Sequence, residues 1–310
     1  MRRLLIFTLA PIMALLLAAC APAAPGAGGP LNVVATTGQI GDAVRFIGGD
    51  AIAARTLLGP GIDPHTYVAT EGDLRTFQNA DVIFYNGLHL EAQIERVLEQ
   101  IGQRTDATVV ALGDGLDEAS LLSWEPENGF PHDPHVWNDV QLWKGVVEQI
   151  GATLAEADPA NAEQFRSNTQ SYLAQLDELD AYIRAEAARI PAERRVIVTA
   201  HDAFGYFARA YDFEVEAIQG ISTEAEAATA DIQAIARLVV ERQVPAIFVE
   251  STISPRTVEA VQEAVRAAGH EVAVGGQLYS DALGAADGPA GTYVGMMRSN
   301  IDTLVGALAG

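Results

Sequence analysis

Short apolar runs alternate with longer amphipathic stretches along most of this chain, and that alternation limits the folds it can adopt. The runs are rich in Val, Ile, Phe and Ala, which is typical of buried strands. The stretches between them repeat apolar residues at helical spacing. Strands that alternate with helices form a mainly parallel sheet flanked by helices, so we predict an α/β protein. The predicted strands cover residues 31–37, 54–58, 81–86, 108–113, 194–200, 213–218, 245–250 and 270–276.

One long helical stretch interrupts this alternation. Apolar residues recur at near-helical spacing over residues 158–191, where Asp158 can cap the first turn and Pro191 ends the helix. About 30 helical residues span roughly 45 Å, which is enough to join two lobes as a rigid rod. We therefore predict an N-terminal α/β lobe at 31–157, a linking helix and a C-terminal α/β lobe at 192–310.

The N-terminus has the order of a secretory signal peptide, with two arginines, an apolar run and then small residues that end at Cys20. The apolar run is too short for a membrane span. The stretch LAAC at 17–20 resembles the lipobox of bacterial lipoproteins, which implies cleavage before Cys20 and lipidation of its thiol. The alternative is a plain signal peptide with an incidental cysteine. We predict a signal peptide at 1–19 and a flexible tether at 20–30.

Acidic residues outnumber basic ones, and the formal net charge is −22 at pH 7. Nucleic acid is therefore not expected as a partner, because phosphate binding needs clustered Lys and Arg. A cation is a more natural ligand, since the negative field attracts it. Charge alone decides little, however, because most acidic proteins bind no metal.

Three histidines and one aspartate follow or end predicted strands. These residues are His65, His135, His201 and Asp281. Ligands of open α/β sheets bind beyond the carboxyl ends of the strands, so one metal ion between the lobes could collect all four side chains. Three neutral imidazoles and a carboxylate suit zinc and are acceptable to manganese. Each histidine alone is more often an ordinary loop residue, and their joint placement is what indicates a metal site.

Four other residues lie near strand ends or near these histidines. His132 precedes His135 by three residues, and chelation of a metal by both is conceivable. His89 begins a helical pattern, which favours a role at the surface or beside a ligand. His270 opens a strand at the opposite edge and is predicted to be structural. Glu250 ends a strand beside the proposed site, where it either orients a ligand histidine or hydrogen-bonds within a loop.

Several segments together resemble the metal-binding lipoproteins of bacterial ABC importers for zinc and manganese, the cluster A-I or TroA-like family. The resemblance implies two α/β lobes joined by one long helix. It implies a monomer without enzymatic activity that is anchored outside the cytoplasm, captures Zn(II) or Mn(II) and delivers it to a membrane permease. The matching segments are GPGIDPHTYVAT, DVIFYNGLHLE, DPHVWND, TAHDAFGYFARAY, IQGISTEAEA, VPAIFVESTIS and GGQLYSDALG.

Taken position by position, the resemblance implies metal ligands at His65, His135, His201 and Asp281. Manganese-selective members commonly have Glu at the third position, so His201 implies the zinc-binding or the zinc-and-manganese branch. Many zinc-binding members carry a long histidine-rich loop before DPHVW. The corresponding loop of this chain is short, and His132 is its only histidine besides His135. Both metals therefore stay open.

Three other classes of protein are the alternatives to metal import. A metallohydrolase would keep one zinc position open for water, and the sequence has no H-E-x-x-H or G-x-S-x-G motif. A lipid-anchored adhesion or interaction protein is compatible with the anchor alone. A binding protein for a metal chelate or vitamin would need a large apolar pocket rather than converging side chains.

Overall fold

The computed structural model describes residues 29–125 and 130–310. The predicted signal peptide, Cys20 and most of the tether lie outside the described residues, so these interpretations stay predictions. Within the described ranges, no helix is both long enough and apolar enough to cross a membrane.

Four parallel strands form the sheet of the N-terminal lobe, in the order β2–β1–β3–β4. Alternate residues of β1 and β3 pack into separate apolar clusters: Val33 and Phe84 face one cluster, and Val34 and Ile83 face the other. The two central strands, β1 and β3, are therefore buried on both faces, which explains their unbroken apolar runs in the sequence. The strands are β1 (Leu31–Ala35), β2 (Ile52–Thr56), β3 (Val82–Tyr85) and β4 (Thr108–Ala111).

Helices connect these strands and follow the last of them. Thr37 caps the first helix, and Thr70 forms a capping box with Asp73 at the start of the second. A short antiparallel pair, β5 and β6, comes after β4 and leads to His135. The elements are α1 (Gly38–Gly48), α2 (Glu71–Gln78), α3 (Glu95–Arg104), β5 (Ser123–Glu125), β6 (Phe130–His132) and α4 (Val140–Ala157).

The C-terminal lobe is built from two parallel strand pairs. Strand β7 pairs with β8, β9 pairs with β10, and β7 lies against β9. His201 is the last residue of β7 and Glu250 is the last of β9, so both lie at the carboxyl edge. The elements are β7 (Val196–His201), α6 (Gly205–Tyr211), β8 (Glu214–Gln219), α7 (Thr229–Arg242), β9 (Ala246–Glu250), α8 (Arg256–Ala267), β10 (Ala273–Leu278) and α9 (Tyr293–Leu308).

The long helix α5 (Ala162–Ala187) joins the two lobes. Its 26 residues span about 39 Å. It packs against α1 and α4 of the N-terminal lobe and against α6 and α9 of the C-terminal lobe. One continuous hydrophobic core contains residues of both lobes and of α5, among them Val33, Leu176 and Phe248. The lobes are therefore held together by packing as well as by the helix.

The long helix is shorter than the predicted range 158–191. Asp158 does not cap it: the Asp158 carboxylate accepts hydrogen bonds from the Ala160 backbone and the Asn161 side chain, which forms a turn between α4 and α5. At the other end, the backbone N–H groups of Arg189 and Ile190 bond to the carbonyl oxygens three residues earlier. This is the 3₁₀ pattern, and it replaces the α-helical pattern before Pro191. The predicted domain boundaries stay a prediction.

The α/β fold class, with two lobes and one long helix, is confirmed. Each of the eight predicted strands overlaps a strand of the structure, with ends shifted by up to three residues. The strand pair β5–β6 was not predicted, because its members are only three residues long.

Candidate metal centre

Three imidazoles and one carboxylate meet between the lobes. His65, His135, His201 and Asp281 each offer one ligand atom, and these atoms all lie within 4.8 Å of one another. None of the four residues is more than 2% exposed. The structure therefore brings together the four residues that the sequence predicts as ligands.

The two D-P-H motifs present their histidines in the same way. The carboxylate of Asp63 accepts a hydrogen bond from the backbone N–H of His65 at 2.9 Å. The carboxylate of Asp133 accepts one from the backbone N–H of His135, also at 2.9 Å. Each motif is thus an Asx-type turn in which the central proline fixes φ and the aspartate closes the turn onto the histidine. The repeated motif is a repeated local structure.

Two of the imidazoles are oriented by a carboxylate at the ring nitrogen that faces away from the centre. Asp133 Oδ1 lies 2.7 Å from Nδ1 of His135. Glu250 Oε2 lies 2.5 Å from Nδ1 of His201, and Glu250 Oε1 accepts the backbone N–H of His201 at 2.8 Å. Such contacts fix the ring and direct Nε2 to the centre. Nδ1 of His65 is buried and has no hydrogen-bond partner among the described residues.

The spacing of the ligand atoms matches a small cation. Nε2 of His65 lies 3.3 Å from Nε2 of His135, which lies 3.5 Å from Oδ1 of Asp281. Nε2 of His201 lies 3.2 Å from Oδ2 of Asp281. Ligand atoms about 2.1 Å from a tetrahedral zinc are roughly 3.4 Å apart. These three separations are close to that value, whereas Nε2 of His65 lies 3.9 Å from Oδ2 of Asp281, so the group is somewhat wider than an ideal tetrahedral zinc site.

Polar atoms at the centre have no hydrogen-bond partner in the part of the chain that the structure describes. They are Nε2 of His201 and both carboxylate oxygens of Asp281. A buried polar atom without a partner costs free energy, and native proteins satisfy most of them. A bound cation would satisfy all three atoms at once.

Burial and neighbouring charges shift the pKa values of the two histidines His65 and His201 in opposite directions. Burial lowers the pKa of His65 to about 3, although the Asp281 carboxylate opposes this. Burial also acts to lower the pKa of His201, but Glu250 and Asp281 outweigh it and hold that pKa well above its usual value. Burial acts to raise the pKa of Asp281, but the imidazoles, His201 first, hold it below its usual value. Without metal, these shifts favour a neutral imidazole at His65 and a charged imidazolium at His201.

The remaining histidines lie outside this group. Nε2 of His132 is 3.8 Å from Oε1 of Glu118. His89 does not begin a helix as predicted, because Gly87, Leu88 and His89 have left-handed backbones with φ of 73°, 53° and 68°. Its Nδ1 lies 3.2 Å from Oε2 of Glu95.

The prediction that His270 opens a strand is wrong. His270 is exposed in the turn after α8, and β10 begins three residues later at Ala273.

Sequence reasoning missed the roles of Asp63 and Asp133 in holding the histidines. The signal was present, because both D-P-H motifs carry the aspartate two residues before the histidine, where an Asx turn forms. The contact of Glu250 with His201 was one of two interpretations left open, and the structure shows this contact.

Two α/β lobes on one long helix, with a buried polar centre between them, define a two-lobed solute-binding protein. The chain belongs to the family described as ZnuA, "Zinc-uptake complex component A periplasmic", whose sequence profile matches residues 33–307. The resemblance noted in the sequence is thereby confirmed.

Two named relatives match about nine-tenths of the chain. The zinc-binding protein TroA of Treponema pallidum (strain Nichols) is 49% identical over 282 residues, covering 91% of this chain and 90% of that protein. The manganese-binding lipoprotein MntA of Bacillus subtilis (strain 168) is 44% identical over 278 residues, covering 90% of each chain. A solved structure of Treponema pallidum TroA superposes with a TM-score of 0.88 at 48% identity, covering 91% of this chain and 100% of that one.

The protonation of His201 predicts how zinc affinity depends on pH. Metal binds the deprotonated ring, so binding must displace the proton that Glu250 and Asp281 stabilise there. We expect log K for zinc, corrected for the proton affinity of a competing chelator, to keep rising with pH above pH 7, because the pKa of His201 is raised.

Histidines with an ordinary pKa near 6.5 would already be neutral in this range and would give a flat profile. A flat profile for the wild-type protein would contradict the prediction. Glu250→Gln is the matched control, because it removes the largest favourable charge on the imidazolium and should flatten the slope.

Proposed function

We propose that this protein is the extracytoplasmic solute-binding component of an ABC importer. It captures Zn(II) or Mn(II) between its lobes and delivers the ion to a membrane permease. The observation that carries this proposal is the set of buried ligand atoms that converge on one point, where Nε2 of His201 and both carboxylate oxygens of Asp281 have no hydrogen-bond partner among the described residues. Membership of the family and the names of the zinc-binding and manganese-binding relatives support it.

In this proposal His65, His135, His201 and Asp281 are the metal ligands. Their Nε2 atoms and the carboxylate supply four protein ligands, so the tetrahedral site is closed. A catalytic zinc instead keeps a position for water, which argues against a metallohydrolase and for a carrier without enzymatic activity. Asp133 and Glu250 hold two of the imidazoles in place.

The donor set is compatible with both candidate ions. Three imidazole nitrogens favour zinc, and zinc binds more tightly than manganese at most sites of this kind. Both oxygens of Asp281 lack hydrogen bonds from described residues, so this hard ligand is available to manganese as well. Relative affinity in solution is therefore a poor guide to the ion that is transported.

We further propose that the mature protein is a monomer, tethered to the outer face of the cell membrane by a lipid on Cys20. The support is the LAAC sequence at 17–20, the lone cysteine of the chain and the lipoprotein name of the relative from Bacillus subtilis. A tether leaves the folded lobes free to meet a permease in the same membrane.

The function is tested by metal loading and metal uptake. Protein stripped with chelator should bind one zinc ion per chain by elemental analysis. Cells that lack the protein should recover zinc or manganese uptake when it is restored together with its permease. Failure of the wild-type protein to bind either ion would contradict the proposal.

Alanine variants test the ligand set. His65→Ala, His135→Ala, His201→Ala and Asp281→Ala should each weaken zinc binding severely, because each removes one of four ligands. His132→Ala and His270→Ala are matched controls and should bind as the wild type does, since neither lies in the group. Near-native affinity of His201→Ala would rule out the assignment.

Substitution of Cys20 tests the anchor. Cys20→Ser should move the protein from the membrane fraction to the soluble extracytoplasmic fraction, because the lipid attachment site is lost. Its zinc affinity should not change. If the variant stays in the membrane fraction after a salt wash, the lipid anchor is not the attachment.

A further inference from the structure

The turn that follows His135 reaches across the boundary between the lobes. Residues Val136–Asn138 form one turn of 3₁₀ helix, and all three are buried. The indole Nε1 of Trp137 donates a hydrogen bond of 2.8 Å to the carbonyl oxygen of Ser280, in the C-terminal lobe. Ser280 directly precedes Asp281. A side chain next to one proposed ligand therefore holds the backbone next to another.

The next residue makes an equivalent bond to a second loop. Nδ2 of Asn138 donates to the carbonyl oxygen of Ala203 at 2.8 Å. Ala203 lies two residues after His201, and its backbone N–H donates to the carbonyl oxygen of His201 at 3.1 Å. Two adjacent side chains thus connect the His135 turn to both ligand-bearing loops of the other lobe.

Trp137 also touches a ligand ring and is itself anchored. Its ring lies edge-on to the imidazole of His135, with centroids 5.3 Å apart. Its carbonyl oxygen accepts the hydroxyl of Tyr293 at 2.7 Å. The backbone N–H of Tyr293 and the hydroxyl of Tyr172 both donate to Asp42, which ties the turn to α9, α5 and α1.

We propose that Trp137 and Asn138 are positioning residues that fix the mutual distances of His135, His201 and Asp281. This inference rests on the proposed metal-binding function. Metal–ligand distances tolerate deviations of only about 0.2 Å, so ligands from two lobes need a link between those lobes. Separation of the lobes would break both hydrogen bonds and leave two buried carbonyls without these donors, which is costly.

The rival explanation is that Trp137 only fills the core. Trp143 in α4 separates the two explanations, because it is also fully buried and belongs to the same hydrophobic core. Its ring stacks on Tyr293 with ring centroids 4.9 Å apart, and its Nε1 faces the hydroxyl of Tyr172 in α5 rather than a ligand-bearing loop. Exchange of either tryptophan for phenylalanine removes similar volume, but only one exchange removes a bond to a ligand-bearing loop.

The test compares Trp137→Phe with Trp143→Phe in the full chain. We measure thermal stability without metal, the zinc dissociation constant by chelator competition and the zinc dissociation rate. Both variants should lose thermal stability. Trp137→Phe should bind zinc roughly tenfold more weakly or worse and release it faster, as substitutions beside metal ligands do, whereas Trp143→Phe should stay within about twofold of the wild type.

Equal zinc affinities of the two variants, at wild-type level or equally reduced, would overturn the inference while the binding function stands. Absence of zinc binding by the wild-type protein would overturn the function and the inference together. If circular dichroism shows that Trp137→Phe does not fold, Asn138→Ala takes its place, with the same expected changes in zinc affinity.

A second comparison distinguishes positioning from packing. Asn138→Gln retains the amide donor and should bind zinc more tightly than Asn138→Leu, which has similar bulk and no donor.

Discussion

The carboxylate of Asp281 is buried beside three imidazoles, and its Oδ2 lies 3.2 Å from Nε2 of His201. An arrangement of this kind is costly without a positive charge at its centre. The raised pKa of His201 favours an imidazolium that supplies this charge when metal is absent, and a divalent cation would supply it when metal is bound. In the proposed function, a proton and a metal ion compete for the His201 ring beside this carboxylate, and capture and release both depend on that competition.

The fold explains how residues distant in sequence reach that carboxylate. Parallel strands in each lobe end at a common edge, and the loops from those edges face each other across the lobe boundary. The long helix and the shared core hold the lobes together. Asx turns at Asp63 and Asp133 then fix the backbone of two histidines before any metal arrives.

Sequence patterns predicted the sheet well, because strands buried on both faces leave continuous apolar runs. They also predicted the four central residues, because each follows or ends a strand. The predicted start of the long helix at Asp158 was wrong, because Asp158 and Pro159 suit a turn between two helices as well as they suit a helix start. The bond from Trp137 to Ser280 joins residues 143 positions apart, and no local pattern reports such a contact.

The most direct test is a crystal structure of the protein loaded with zinc, with anomalous diffraction recorded on both sides of the zinc absorption edge. The account predicts one strong zinc peak between the lobes, about 2.0–2.2 Å from Nε2 of His65, His135 and His201 and from a carboxylate oxygen of Asp281. A zinc peak at another position would contradict it. A zinc ion held by three of these residues and a water molecule would also contradict it, because the site would then be open.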